Sequence, residues 1–311
     1  MAQMDRRGFL TTGVLAGAGL GMGLLGSDSL WAVPAPSMSI AHYKSSPMET
    51  DDIAEEARRL TRQAIDALGG MGRFVSKGNV VWIKPDIGWD RRPEQAATTN
   101  PDVVATLVAL CYQAGAKKVL VSDNPCNPAR LSYPRSGIQP AAEKAGAEVP
   151  FLDERKFRKM SLNGKVLKEW EVYQDIVEAD RLINVPIAKN HNLCLATLGM
   201  KNLMGVLGGA RNRLHQDLGG TVADLAAFLE PRLVVLDAIR ILTANGPVGG
   251  NLADVKRKDT LVAGVDQVAV DAVGATLLGY KPESIVYIVQ GNARGLGTMD
   301  FKSLSPRQLE V

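Results

Sequence analysis

Four short apolar runs, each closing on a polar residue or a proline, constrain this 311-residue chain most. They are Val80-Val81-Trp82-Ile83 before Lys84-Pro85-Asp86, and Val119-Leu120-Val121 before Ser122-Asp123-Asn124. Leu182-Ile183-Asn184-Val185 before Pro186 and Leu233-Val234-Val235-Leu236 before Asp237 follow. Strands buried on both faces read as continuous apolar runs, because a parallel sheet is covered by helices on each side. Residues 260–264 and 285–289 read the same way, and residues 39–43 and 149–152 are shorter strand candidates. Helix signals alternate with these runs. Thr50, Asp51 and Asp52 offer caps for a helix to about Leu68. Asn100 caps and Pro101 opens a second helix to Ala114. Residues 133–145 and 221–229 read as helices, and Asp266 caps another through Leu278, with Gly279 after it. Asn163-Gly164 between apolar alternations signals a hairpin. The expected fold is α/β, a mainly parallel sheet with helices on both faces. If the domain spanning 37–311 divides into two lobes with a cleft between them, the boundary falls near 150–180.

In such a sheet the carboxyl ends of the strands lie on one edge, where ligands bind. That edge gathers Lys84, Asp86, Asp123, Asn124 and Asp237. The stretch from Leu182 to His215 adds Lys189, Asn190, His191, Asn192, Lys201, Asn202, Arg211 and Arg213, interleaved with Gly199, Gly205, Gly208 and Gly209. Glycines among Lys, Asn and His suggest backbone close to an anionic ligand. Singly, each Lys or Asn is as readily a solvated side chain, and Asp123 a turn former. Together they predict one cleft. His191, Lys201 and Asp123 are the candidate catalytic groups. Lys84, Asp86, Asn124, Lys189, Asn202 and Asp237 are the candidate ligand-binding groups, with His215 at the edge as a candidate metal ligand.

The segment LGMKNLMG following NVPIAKNH resembles the DUF362 family, whose reaction is not settled. KPD at 84–86, NGPVGG at 245–250 and VDQVAVDAVGATLLG at 265–279 are similar to further segments of that family. Asp271, within the last, reads as structural or catalytic. A sparser, topological resemblance is to the nickel-pincer lactate racemases. It implies a histidine at His191, a cofactor-carrying lysine at Lys201 and a metal-binding histidine at His215. Asp123-Asn124-Pro125 stands where that family has a histidine-containing segment, so a second catalytic histidine is missing.

Three functions remain open on these residues. One is an enzyme in which His191 moves a proton and Lys201 binds or covalently holds a ligand. Another is a metal site using His191 or His215 with Asp86, Asp123 or Asp237. The third is a non-catalytic periplasmic binding or accessory protein. The cofactor is unknown, and a metal or organometallic group fits the resemblance. Cys111, Cys126 and Cys194 form no CxxC pair, so no iron–sulfur cluster is expected. A net charge of +3 and 5% aromatic residues argue against nucleic acid. Arg6-Arg7-Gly8-Phe9-Leu10 before an apolar run resembles a twin-arginine (Tat) signal, residues 1–36, cleaved near 32. It implies passage through the Tat translocase, a periplasmic location and no stable membrane span after cleavage.

Overall fold

The computed structural model describes residues 35–44 and 52–311. The arginine pair, the apolar run and the cleavage point of the expected export signal lie outside them, as do Thr50 and Asp51. Eleven strands form among the described residues. β1 (Met38–His42), β2 (Val80–Pro85), β3 (Lys118–Val121), β6 (Arg181–Val185), β7 (Ile187–His191), β8 (Leu195–Thr197), β9 (Leu233–Leu242), β10 (Val255–Gly264) and β11 (Arg307–Glu310) make one sheet. β4 (Phe157–Ser161) and β5 (Glu169–Tyr173) form a separate antiparallel pair. The main path runs β11-β1-β10-β9-β6-β2-β3, with β7 on β9 and β8 on β7. β3, β2, β6 and β9 are parallel neighbours, so the four runs that close on polar residues form the expected parallel core.

Alternation along these strands divides the interior in two. Val81, Ile83, Val119, Val121, Ile183 and Val235 pack beneath α1 (Ile53–Ala67) and α2 (Pro101–Gln113). Trp82, Leu120, Leu182, Val234 and Leu236 point the other way, toward α7 (Leu218–Leu229), α8 (Gln267–Leu277) and α9 (Val286–Ala293). Each buried Val, Ile or Leu contributes about 1.5–3 kcal/mol. Both faces are therefore driven shut, and helices cover each as expected. Four smaller helices complete the set among the described residues: α3 (Ala129–Arg135) with α4 (Ile138–Lys144), α5 (Gln174–Glu178) and α6 (Gly199–Asn202). Asp52 caps α1 by accepting from Ala54 N at 3.0 Å and Glu55 N at 3.2 Å. Asn100 caps α2 by accepting from Asp102 N at 2.9 Å.

Several local expectations are corrected. Residues 285–289 open α9 and are not a strand; Tyr287, Ile288 and Gly291 are its buried side. A short apolar run does not by itself separate strand from buried helix. Residues 260–264 are a strand, but β10 is antiparallel to β9, so its carboxyl end leaves the site edge. Residues 149–152 form no strand; only Glu148 bridges to Leu120. After Pro186 chain direction continues into β7, so Lys189 and His191 sit on a strand.

Candidate functional site

Lys84 and Asn184 are register partners on β2 and β6. They point to the α7–α8 side of the sheet, where Asn202 joins them. Asn202 accepts from Lys84 Nζ at 2.6 Å and donates to Asn184 Oδ1 at 2.8 Å. Lys84 Nζ also lies 2.9 Å from Asp123 Oδ1. The other oxygen, Oδ2, accepts from Ile87 N at 2.8 Å, and the Tyr133 hydroxyl donates to Asp123 O at 2.6 Å. A second pair lies alongside: Lys189 Nζ is 2.8 Å from Asp86 Oδ2 and donates to Ala97 O at 2.7 Å. All four charged side chains are buried. Burial lowers the Lys84 ammonium below its ordinary range, against the pull of Asp123. Burial also works to raise Asp86, but the Lys189 and Lys84 cations outweigh it and hold that carboxyl low. Each ion is thus matched by a partner, which is what allows it to be buried.

Lys201 differs. It sits in α6 (Gly199–Asn202), is 9% exposed, and its side-chain amine makes no hydrogen bond or ion pair with a described residue. Burial lowers its pKa. The start of α6 is fixed by Asp271, on α8: Gly199 N donates to Oδ1 at 2.6 Å and Met200 N to Oδ2 at 2.9 Å. Asp271 is fully buried, and burial pushes its carboxyl up to about 7. The glycines here do permit close approach, but to the protein's own groups. A Cβ on Gly199 would lie 2.7 Å from Asp271 Oδ1. One on Gly205 would fall on Asp123 Oδ1 and 2.7 Å from Lys84 Nζ, and one on Gly208 would lie 2.7 Å from the Phe157 ring.

His191 closes β7. Its Nδ1 accepts from Leu193 N at 3.1 Å, so in the neutral ring Nε2 carries the proton. Burial, then Lys201, Lys189 and His215, pull its pKa down to about 3. At neutral pH His191 is therefore a hydrogen-bond donor, and acting as a base at Nε2 requires the other tautomer. His215 lies nearly parallel to it, ring centroids 6.4 Å apart. Burial and Lys201 lower its pKa as well, while the carbonyls of Asn212 and Arg211 oppose them. Thr197, opposite Lys189 in the β7–β8 ladder, has a buried hydroxyl with no partner.

These groups line one cavity of about 720 Å³. Of the residues expected from sequence, Lys84, Asp86, Asp123, Asn124, Lys189, His191, Lys201, Asn202 and His215 all line it. Asp237 does not. β9 continues to Leu242, so Asp237 is mid-strand and faces α2, where it accepts from Asn100 N at 2.8 Å. Burial raises it to about 6. Sequence reading missed Asn184 and Thr197. Asn184 carried a signal, a polar residue inside an apolar run; Thr197 carried none. The charged lining is Lys84, Lys189, Lys201 and Arg211 against Asp86 and Asp123, a positive surplus of two when Lys201 is protonated.

Among the described residues no three His, Cys, Asp or Glu side chains gather to hold a metal ion. A group bringing its own donors would ask less of the chain. Lys201 offers an amine free for a tether, and neutral His215 offers a ring nitrogen.

A family profile described as "Domain of unknown function (DUF362)" matches residues 81–276. The chain belongs to the DUF362 family. It is 27% identical over 285 residues to the "Thylakoid-associated protein sll1697" of Synechocystis sp., covering 88% of this chain and 86% of that one. Among solved structures it is similar to the lactate racemase apoprotein of Thermoanaerobacterium thermosaccharolyticum, at 11% identity and a TM-score of 0.45. It is also similar to a protein from Thermotoga maritima, at 9% identity and a TM-score of 0.36. These likenesses cover 78% and 77% of this chain, which spans only 57% and 59% of the two neighbours. No helix among the described DUF362 residues is long and apolar enough to cross a membrane.

Proposed function

We propose that this DUF362 protein is an exported enzyme whose Lys201 amine binds, or bonds covalently to, a small anionic substrate or cofactor. The observation that carries this reading is the state of Lys201. Lys84 and Lys189 are each spent on a buried carboxylate, whereas Lys201 has no partner among the described residues. An amine whose charge burial disfavours is a nucleophile at lower pH than a solvated lysine. Neutral His191 donates a hydrogen bond from Nε2 to the group bound there. The positive surplus of the lining favours an anion. The twin-arginine segment supports assembly in the cytoplasm and work in the periplasm, with the Tat translocase as partner during export.

The test is site-resolved amine labelling. Trinitrobenzene sulfonate applied across a pH series, with peptide mapping, should modify Lys201 at lower pH than Lys44, an exposed lysine. Protein purified from its source should carry an adduct at Lys201, or form one with a carbonyl compound and borohydride. A Lys201 that labels no sooner than Lys44, in a protein that carries and traps nothing, leaves a binding or accessory protein instead.

A further inference from the structure

We infer that the cavity takes a monoanionic carboxylate bearing an apolar body, and not a phosphate ester. The inference rests on the reading that a ligand sits beside Lys201.

Phosphate is held where glycine-rich backbone presents several free N–H groups, with cations nearby. The LGMKNLMG segment has the glycines, but the two amides that open its helix are already used. Gly199 N and Met200 N both donate to Asp271. The space that Gly205 leaves is filled by Asp123 and Lys84. Two of the four lining cations are neutralised at 2.8 and 2.9 Å by Asp86 and Asp123. Arg211 is pinned at the rim, donating to Asn124 O at 2.7 Å and Pro125 O at 3.1 Å, neither of which cancels its charge. Lys201 is the other uncompensated cation. Burial works against its charge, as it does against that of the paired Lys84, so the surplus is at most two and a single negative charge asks less of it than a dianion. His191 and the unpartnered Thr197 are neutral donors, which fit a carboxylate or carbonyl oxygen.

Part of the wall is apolar, beside Asn192, Asn212 and His215. Trp89, Leu193, Met204, Pro247 and Val248 line the same cavity. Leu193 is 69% exposed, a large apolar side chain left facing open space beside a set of buried charges. A cavity of about 720 Å³ has the size of clefts that enclose drug-sized molecules, and an acid head alone would fill little of it. Apolar wall and volume together require a body on the ligand.

Four probes decide the point: 3-phenylpropionate, its neutral amide 3-phenylpropanamide, acetate and phenyl phosphate. Binding to the wild-type protein is measured by calorimetry and by tryptophan fluorescence. Trp89→Phe serves as the optical control, since Trp82 is buried in the core and the Trp170 indole donates to Gly208 O at 3.0 Å. The expected result is 3-phenylpropionate bound about tenfold or more tightly than each of the other three, with a fluorescence change lost in Trp89→Phe. Tightest binding by phenyl phosphate, equal binding by acetate or the amide, or no binding by any probe would overturn the inference. Selective 3-phenylpropionate binding with an inert Lys201 removes the enzyme reading and leaves this one standing. A reactive Lys201 without carboxylate selectivity does the reverse.

Discussion

Lys84 Nζ lies 2.9 Å from Asp123 Oδ1, and both side chains are buried at the carboxyl ends of neighbouring parallel strands. Removing one partner leaves an uncompensated buried charge, a loss of about 3–5 kcal/mol. Asp123→Ala and Lys84→Met should therefore each lower the urea midpoint sharply. The double substitution should cost clearly less than the two single losses combined, because no orphan charge remains. Additivity within about 0.5 kcal/mol would mean that the two residues act independently.

Gly205 is confined by that same pair. A methyl group there meets Asp123 Oδ1 and Lys84 Nζ, so Gly205→Ala must part them and should cost about 3 kcal/mol or more. Gly72 has nothing within 4 Å of its would-be Cβ. Gly72→Ala should then change stability by less than about 1 kcal/mol, if anything upward. Equal midpoints for the two variants would contradict the packing around Gly205.

His191 makes stability depend on pH. Its folded-state pKa, near 3, lies below the ordinary 6.5, so on acidification the unfolded chain takes up the proton first. Stability is lost as pH falls from about 6.5 toward 3, by at most about 1.4 kcal/mol per pH unit. Asp271 and Asp237 act oppositely. Burial raises them to about 7 and 6 from 3.8, so the folded chain holds the extra protons and stability falls as pH rises through that window. The two trends overlap in wild-type protein. His191→Gln separates them: its stability relative to wild type should climb steadily between pH 6.5 and 4. A flat difference across that range would show that His191 is not held neutral.

Replacing Arg6 and Arg7 together by Lys should stop export and leave folded protein in the cytoplasm. Fractionation with an antibody to the folded domain is the check. Undiminished periplasmic protein would rule out the twin-arginine reading.

The parallel core was legible because β2, β3, β6 and β9 are covered on both faces and so carry no polar alternation. The cavity was legible for the same reason: polar residues directly after such runs have only the sheet edge to occupy. Asp237 misled because nothing in the sequence marks mid-strand from strand end once a buried acid finds backbone donors. Residues 285–289 misled because Ile, Val and Tyr suit a strand, and only the packing of Tyr287 and Ile288 against the α7–α8 layer makes that run helical. The glycines were read as letting backbone approach an anionic ligand, whereas at Gly199, Gly205 and Gly208 the protein's own Asp271, Asp123 with Lys84, and Phe157 fill the space; the sequence does not say what approaches.

That last point reaches other chains bearing LGMKNLMG. At Gly199 the resident is a carboxylate 72 positions downstream, so glycine and acid form an internal lock and key. A homologue that keeps this glycine but has lost the acid would present two unpaired amides in a dry pocket. Water, an anion or another side chain must then stand in for it, and such a chain could bind ligands that this one has already excluded.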